Sequence, residues 1–382
     1  MTLPKPGSTS TRPTVATAPS SAAAAASTWS TYSAAATGSA RTERQSSKFK
    51  VAWIYVGPHN DHGWSRAHDQ GRLYVQKKLG NKVQTTYKEN IAVGPQLQQT
   101  VASLVRDGYK MIFGTSYGYF DKKLAAKYPQ VLFEQATGTD QAKNLAEYFG
   151  AAEDTIFLSG MAAGAATKKG NLGYVVPFPI PEVIRHANAF ALGARLMHPG
   201  AKVRLIWTNS WFNPTKEKKA AESLVGAGAD VLGQNVDSPA AGQFAQSKHI
   251  PWVGYDSNAQ KFAPTSWLTA SVYNWGPYYL RRVKAGMNGK WKSGFYYGSI
   301  KDGLTKLAPF GPKVSAKTKR AIARKMRAIQ SGKFYEFTGP LYDQHGKLRV
   351  KKGQRMQVLK GGTNSLYGMN WLVKGVIGSP KG

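Results

Sequence analysis

Residues 48–57 read KFKVAWIYVG, followed at once by Pro58. Val51 to Val56 form a short apolar run rich in β-branched and aromatic side chains, closed by a Gly-Pro step. That pattern marks a buried strand ended by a turn. A helix is predicted over about 64–79, and the alternation then recurs. KVQTTYKE (82–89) is a strand, and 95–106 is a helix with Leu97, Val101 and Leu104 on one face. KMIFGTS (110–116) is a strand, 121–127 a helix and VLFEQAT (131–137) a strand. Strands separated by short helices imply βαβ units and a parallel sheet.

A second set repeats this grammar. DTIFLSGMAAGAATKKG (154–170) reads as a small-residue helix packed closely on a neighbour. NLGYVVP (171–177), KVRLIWTNS (202–210), ADVLGQN (229–235) and PWVGYD (251–256) read as strands. Helices are expected over 181–199, with Pro181 in the first turn, and over about 215–226 and 238–248. The expected fold is α/β: two doubly wound parallel-sheet lobes joined by a hinge. The first lobe spans 49–150 with a return segment at about 268–310, and the second spans 151–267. Residues 311–382 form a C-terminal helix and tail packing on the lobes. In open α/β sheets ligands sit beyond the carboxyl ends of the strands. Two lobes turn those ends toward one another across a cleft, a favoured small-molecule site. The loops to watch are 57–64, 88–95, 114–119, 135–140, 177–181, 208–214, 235–239 and 255–258.

The 382 residues suit two domains with some extra chain. There is no cysteine, which excludes disulfides, thiolate metal sites, cysteine nucleophiles and an anchor on an N-terminal cysteine. The net charge of +32 attracts polyanions. Lysine and arginine are nevertheless spread along the whole chain, so a generally basic surface is the preferred reading and no nucleic-acid partner is expected. One dense run, KVSAKTKRAIARKMR (313–327), suits a solvated amphipathic helix as well as a phosphate-binding patch. No stretch reaches the ~18–20 apolar residues of a membrane span. The Ser/Thr/Ala/Pro-rich residues 1–48 read as a disordered tail, and their longest apolar run, 22–26, is too short for the core of a secretory signal.

Common catalytic patterns are missing: no GxGxxG after a strand, no GxxxxGK[ST], no HExxH and no GxSxG. His59, His62 and His68 cluster with Asp61 and Asp69; a metal site there is weighed against residues lining a loop and a helix start, and the second reading is preferred. No metal and no cofactor are expected. What stands out is aromatic side chains at strand ends: Trp64 after Gly63, Tyr117 and Tyr119 in GTSYGYF, Trp211 and Trp275. The mid-strand Trp53, Trp207 and Trp252 are assigned to cores. Trp64 and Trp211, in loops with less core to fill, are read as platforms for a flat ligand, the alternative being packing between lobe rims. Stacking a heterocycle on such a ring is worth ~1–3 kcal/mol. Tyr117, Asn90, Ser116, Asn209, Asp237, Asp256 and Asn274 are expected to read the ligand's edge. Asp256 has the alternative role of capping the next turn.

Longer segments then resemble, in order, the basic membrane protein family of ABC-transporter substrate-binding proteins. They are VAWIYVGPHNDHGWSRAHDQGR (51–72), FGTSYGYFD (113–121), YPQVLFEQATG (128–138), GYVVPFPIPEVIRHANAFALGAR (173–195), WTNSWFNPTKEKKAA (207–221), GADVLGQNVDS (228–238), LTASVYNWGPYY (268–279) and GMNWLVKG (368–375). The resemblance covers about 49–378. It implies a hinged periplasmic receptor, not an enzyme, that hands purine nucleosides or related ligands to a membrane ABC permease; a monomer is expected. The family's stacking aromatics fall on Trp64 and Trp211, and its second-lobe acid on Asp256. In two places the chain departs from the pattern. Thr137 stands near where nucleoside-binding members carry an aspartate suited to ribose hydroxyls, and Tyr273-Asn274 replaces a common lysine. With tryptophans for the usual phenylalanines, these departures favour a free base such as adenine. Two alternatives stay open: a nucleoside-processing hydrolase using Asp61, His62 or Asp69, and a charge-driven polyanion binder.

Overall fold

The computed structural model describes residues 48–359 and 365–382, so the tail expected to be disordered lies outside the described residues except for Lys48. The first sheet contains β1 (Phe49–Ile54), β2 (Val83–Lys88), β3 (Met111–Gly114), β4 (Leu132–Ala136), β5 (Leu145–Gly150) and β11 (Phe295–Gly298), in the order β2-β1-β3-β4-β5-β11. Every pairing in it is parallel. It carries α1 (Trp64–Leu79), α2 (Pro95–Arg106), α3 (Lys122–Lys127) and α8 (Trp275–Met287). Alternation along the strands splits its side chains between two cores. Val51, Trp53, Tyr55 and Phe113 point to one face. Ala52, Ile54 and Ile112 meet Leu97, Val101 and Leu104 of α2 on the other.

The second sheet is built from β6 (Asn171–Val176), β7 (Lys202–Trp207), β8 (Val231–Gln234), β9 (Trp252–Asp256), β10 (Trp267–Tyr273), β12 (Thr305–Leu307) and β15 (Val376–Ile377). Its order is β15-β7-β6-β8-β9-β10-β12, and all pairs are parallel except β10 with β12. Around it lie α4 (Ala152–Ala166), α5 (Pro181–Met197), α6 (Pro214–Gly226) and α7 (Ala240–Ser247). Omitting the added edges, both sheets run in the doubly wound order 2-1-3-4-5, whose switch point lies between the first and third strands. The expected two-lobed α/β architecture is present. Between α4 and α5 the backbones touch: a Cβ on Gly164 would stand 2.7 Å from the Cα of Ala194. This is why residues 154–170 are so rich in Gly and Ala.

Three segments cross between the lobes: β5 into α4, β10 into α8, and β11 into β12. They bond to one another. Asn274 N–H donates to Leu304 O (2.7 Å), Ala151 N–H to Gly298 O (2.6 Å), and Thr305 Oγ1–H to Ala151 O (3.3 Å). Of the segment 268–310, β10 and β12 therefore pair in the second sheet, while α8 and β11 join the first. Beyond them lie α9 (Ala316–Gln330), capped by Ser315 Oγ on Thr318 N–H, and a hairpin of β13 (Leu341–Tyr342) and β14 (Leu348–Val350). The chain then returns across α5, where Asn188 Nδ2–H donates to Trp371 O at 2.9 Å, and ends beside β7.

Candidate functional site

At the two switch points the strand ends converge on one cavity. Val56 and Trp64 follow β1; Thr115, Ser116 and Tyr117 follow β3; Thr137 follows β4. From the second lobe come Glu182 at the start of α5, Trp211 after β7, Asp237 after β8, and Tyr255 and Asp256 at the end of β9. The space between these walls, including the solvent at its mouth, is about 360 Å³. Tyr117 is 70% exposed and stands at the mouth. A neighbouring chamber of about 490 Å³ shares Tyr117, Thr137 and Glu182 and continues to Arg185 and Tyr367.

Trp64 and Trp211, the two rings expected to act as platforms, both line this cavity, one from each lobe. Their settings differ. Trp64 opens α1 and is only 8% exposed. Its indole N–H donates to Thr115 O at 2.6 Å, and its ring meets His68, Tyr273 and Trp275 edge-on with centroids at 4.3, 5.5 and 5.8 Å. It is therefore also part of the core, which the Gly63-Trp64 loop reading did not anticipate. Trp211 is half-buried and tilts against Phe178 at 5.5 Å.

The polar wall is acidic. Asp237 and Asp256 are buried, and both oxygens of Asp256 lack a hydrogen-bond partner. Desolvation drives both carboxyls well above the usual carboxylate range. Asp61 and Glu217 push Asp237 further up, and Asp237 and Glu182 do the same to Asp256. Glu182 is raised to about 7 by burial against the pull of Arg185. Left-handed backbone recurs on the cavity wall, at Thr137 and Asp256, and in the loops around it. His62, Asn90, Thr137, Asn209 and Asp256, all in strand-end loops, have φ between 51° and 66°. For the β-branched Thr137, whose Oγ1 is buried without a partner, this is real strain.

The lobes clasp directly over this cavity. Trp64 N–H donates to Asp237 Oδ1 (3.3 Å) and Ser257 Oγ–H donates to His62 O, while within the second lobe Asp237 N–H donates to Trp211 O (3.0 Å). A Cβ on Gly63 would come within 2.6 Å of the Cα and carbonyl oxygen of Asp237. Glu217 braces the second-lobe loops, accepting from Asn213 N–H at 2.8 Å and from Ser238 Oγ–H.

The other residues singled out in the sequence lie outside the cavity. Asn90 and Asn209 are exposed, and Asn274 sits in the hinge, its Nδ2–H donating to Gly303 O at 3.1 Å. Asn90 and Asn209 serve as turn residues because asparagine tolerates left-handed backbone. Trp207, assigned to a core, is half-buried with its indole N–H on Ser379 O at 2.9 Å, because β15 covers only part of β7. The histidines disperse. His59 pairs with Glu89 (2.7 Å), His68 packs flat on Trp275 (4.7 Å), and His62 lies against Phe262 (4.7 Å). Among the described residues no group of three His, Cys, Asp or Glu could hold a metal. The acids proposed for hydrolysis are engaged elsewhere. Asp61 accepts from Gly63, Ser65 and Arg66 N–H at 2.8, 2.8 and 2.9 Å, capping α1, and Asp69 pairs with Arg72 at 2.7 Å. Sequence reasoning missed Val56, Thr115, Glu182 and Tyr255; Glu182 could have been found from its place after Pro181 at a helix start beyond a strand.

Two doubly wound lobes, a triple crossing and an enclosed cavity at both switch points define a solute-binding protein of the periplasmic type. The chain belongs to the Bmp family, ABC transporter substrate-binding proteins described as PnrA-like, which it matches over residues 48–334; its task is binding, not catalysis. A purine-binding protein of Brucella abortus is 42% identical over 331 residues, covering 86% of this chain and 93% of its own. A putative ABC transporter glucose-binding protein of Haloferax volcanii is 34% identical over 296 residues, 77% of this chain and 75% of its own. In fold, an ABC transporter solute-binding protein from Aeropyrum pernix superposes with a TM-score of 0.66 at 16% identity, covering 75% of this chain and 92% of that one. No helix among the described residues is long and apolar enough to cross a membrane.

Two outcomes follow from the clasp. Gly63→Ala is expected to fold normally but to hold the lobes apart, giving a larger radius of gyration in small-angle scattering than the native chain. Burial raises the Glu217 carboxyl to about 7. Between the ordinary glutamate value of about 4.3 and about 7, the folded chain therefore holds a proton that the unfolded chain has released. The stability this group contributes is complete at acid pH and is lost as pH rises through about 7. Glu217→Gln should flatten the fall in melting temperature between about pH 4.3 and 7; an unchanged slope would remove Glu217 from the account.

Proposed function

We propose that this protein is the extracytoplasmic receptor of an ABC importer and closes over a free purine base, adenine or a close relative, for delivery to its permease. The observation that carries the reading is Asp256, a buried carboxyl with neither oxygen partnered, set in a cavity walled by an indole from each lobe. A buried carboxyl without a partner is costly, and ring N–H and amino groups of a purine would supply donors to it. Trp64 and Trp211 would cover the two faces of a flat heterocycle. Asp237 and Glu182 add acceptors rather than cations, which disfavours nucleotides and other anions. The 42% identity to the Brucella purine-binding protein supports the same ligand class.

The base is favoured over the nucleoside because Thr137, on the cavity wall, offers a hydroxyl where a carboxylate would grip ribose. The Haloferax relative makes glucose the comparison that matters, since a sugar also stacks on indoles. Calorimetric titration with adenine, hypoxanthine, adenosine and glucose separates these readings. Adenine is expected to bind tightest, with an affinity nearly indifferent to salt; preference for glucose would overturn the assignment. Trp211→Ala should weaken adenine by ~1–3 kcal/mol with little change in melting temperature. Trp64→Ala should in addition destabilise the fold by ~3–5 kcal/mol, as removal of a packed indole does. Thr137→Asp places a residue that tolerates positive φ at a strained position and adds a carboxylate. It is expected to shift preference toward adenosine, and an unchanged adenine-to-adenosine ratio would show that this position does not select.

A further inference from the structure

The dense basic run plays no part in the cavity. Residues 313–355 carry 13 of the chain's 52 Lys and Arg and only two acids, Glu336 and Asp343, both buried. Within α9, Lys317, Lys319, Arg320, Arg324 and Arg327 are exposed, and only Thr318 and Ile322 are buried. None of the helix's six cations forms an ion pair among the described residues. Beside the helix runs a groove of about 1240 Å³ whose apolar wall includes Leu307, Pro309, Phe310 and Met326, with Lys301 and Lys306 on its lining. Lys319 reaches over Phe310 at 6.0 Å.

We propose that this face of α9, with the groove beside it, docks on anionic phospholipid headgroups and holds the receptor at the membrane that carries its permease. Exposed cations flanking an apolar slot match an amphiphile, charged at the head and apolar behind it. The fit to nucleic acid is poorer, because single strands are held by stacking on successive aromatic rings as well as charge, and α9 with its groove offers one ring, Phe310, with Lys319 lying over it. Attraction to a charged membrane falls off within about 10 Å in moderate salt, so a compact basic face acts where a diffuse charge does not. Restricting the receptor to the membrane surface raises its encounter rate with the permease.

The full chain is mixed with vesicles of phosphatidylcholine alone, or with about one third phosphatidylglycerol, and sedimented at low and high salt. Binding is expected only to the anionic vesicles and is expected to fall with salt. Lys317→Glu/Arg320→Glu/Arg324→Glu should lower the partition coefficient at least ~tenfold, given roughly fivefold per basic residue near the surface. A control, Lys77→Glu/Lys78→Glu/Lys82→Glu, makes the same change in net charge on exposed residues of α1 and the turn after it and should leave partitioning nearly intact. Equal loss in both variants would show bulk charge alone and overturn the proposal. So would equal binding to neutral vesicles, or stripping of the protein from vesicles by duplex DNA at matched phosphate. The milder Lys317→Gln/Arg320→Gln/Arg324→Gln chain, checked by circular dichroism, repeats the test without charge reversal and should fall between the native chain and the first variant.

Discussion

The lobes meet across the cleft where the amide of Trp64 donates to the carboxyl of Asp237, with Ser257 Oγ–H on His62 O as a second tie. The Trp64 contact works only because residue 63 is glycine, which lets the backbone before α1 lie against the backbone after β8. Much else follows from this approach. Asp237 also takes its place beside Trp211 through its own amide, so a single residue ties both indoles to the seam. Asp61, two residues before Gly63, caps α1 and fixes the direction from which Trp64 enters the cavity. The acid wall, unfavourable when its charges face one another, is eased because burial and the neighbouring acids raise these carboxyls well above the usual carboxylate range.

Both sheets use the same strand order, and the cavity sits where that order turns in each. The arrangement gives each lobe the same kind of contribution: an aromatic ring after one strand and a hydrogen-bonding group after another. Thr115 supplies a carbonyl to Trp64, and Asp256 supplies an unpartnered carboxyl. The rigid strands set these positions to within the reach of a hydrogen bond, and the strained loops aim them.

Much of this could be read from sequence because periodicity and strand-end position are local signals. KFKVAWIYVG, KMIFGTS and PWVGYD announce strands, and the loops after them hold Trp64, Ser116, Tyr117 and Asp256. What escaped was set by long-range pairing. LAEYFG (145–150) contains a charged residue and no β-branched one, and becomes a strand only between β4 and β11. The hinge is assembled from three distant segments, so nothing near Asn274 indicated that its amide would bond to Gly303 instead of facing a cavity. Glu182 resembled an ordinary first-turn acid until the opposite lobe was in place. The double duty of Trp64 was hidden for the same reason, since its neighbours Tyr273 and Trp275 lie some two hundred residues away.

The short strand β15 has a consequence of another kind. It pairs with β7 through Val376 and Ile377 and so covers what would otherwise be an open sheet margin. Bare margins of this sort recruit strands from other molecules. Val376 and Ile377 therefore fill the stretch of β7 beside Val203 and Arg204, leaving less backbone there for a foreign strand to join. Lys202 and Arg204, exposed along the same strand, add mutual repulsion between copies there.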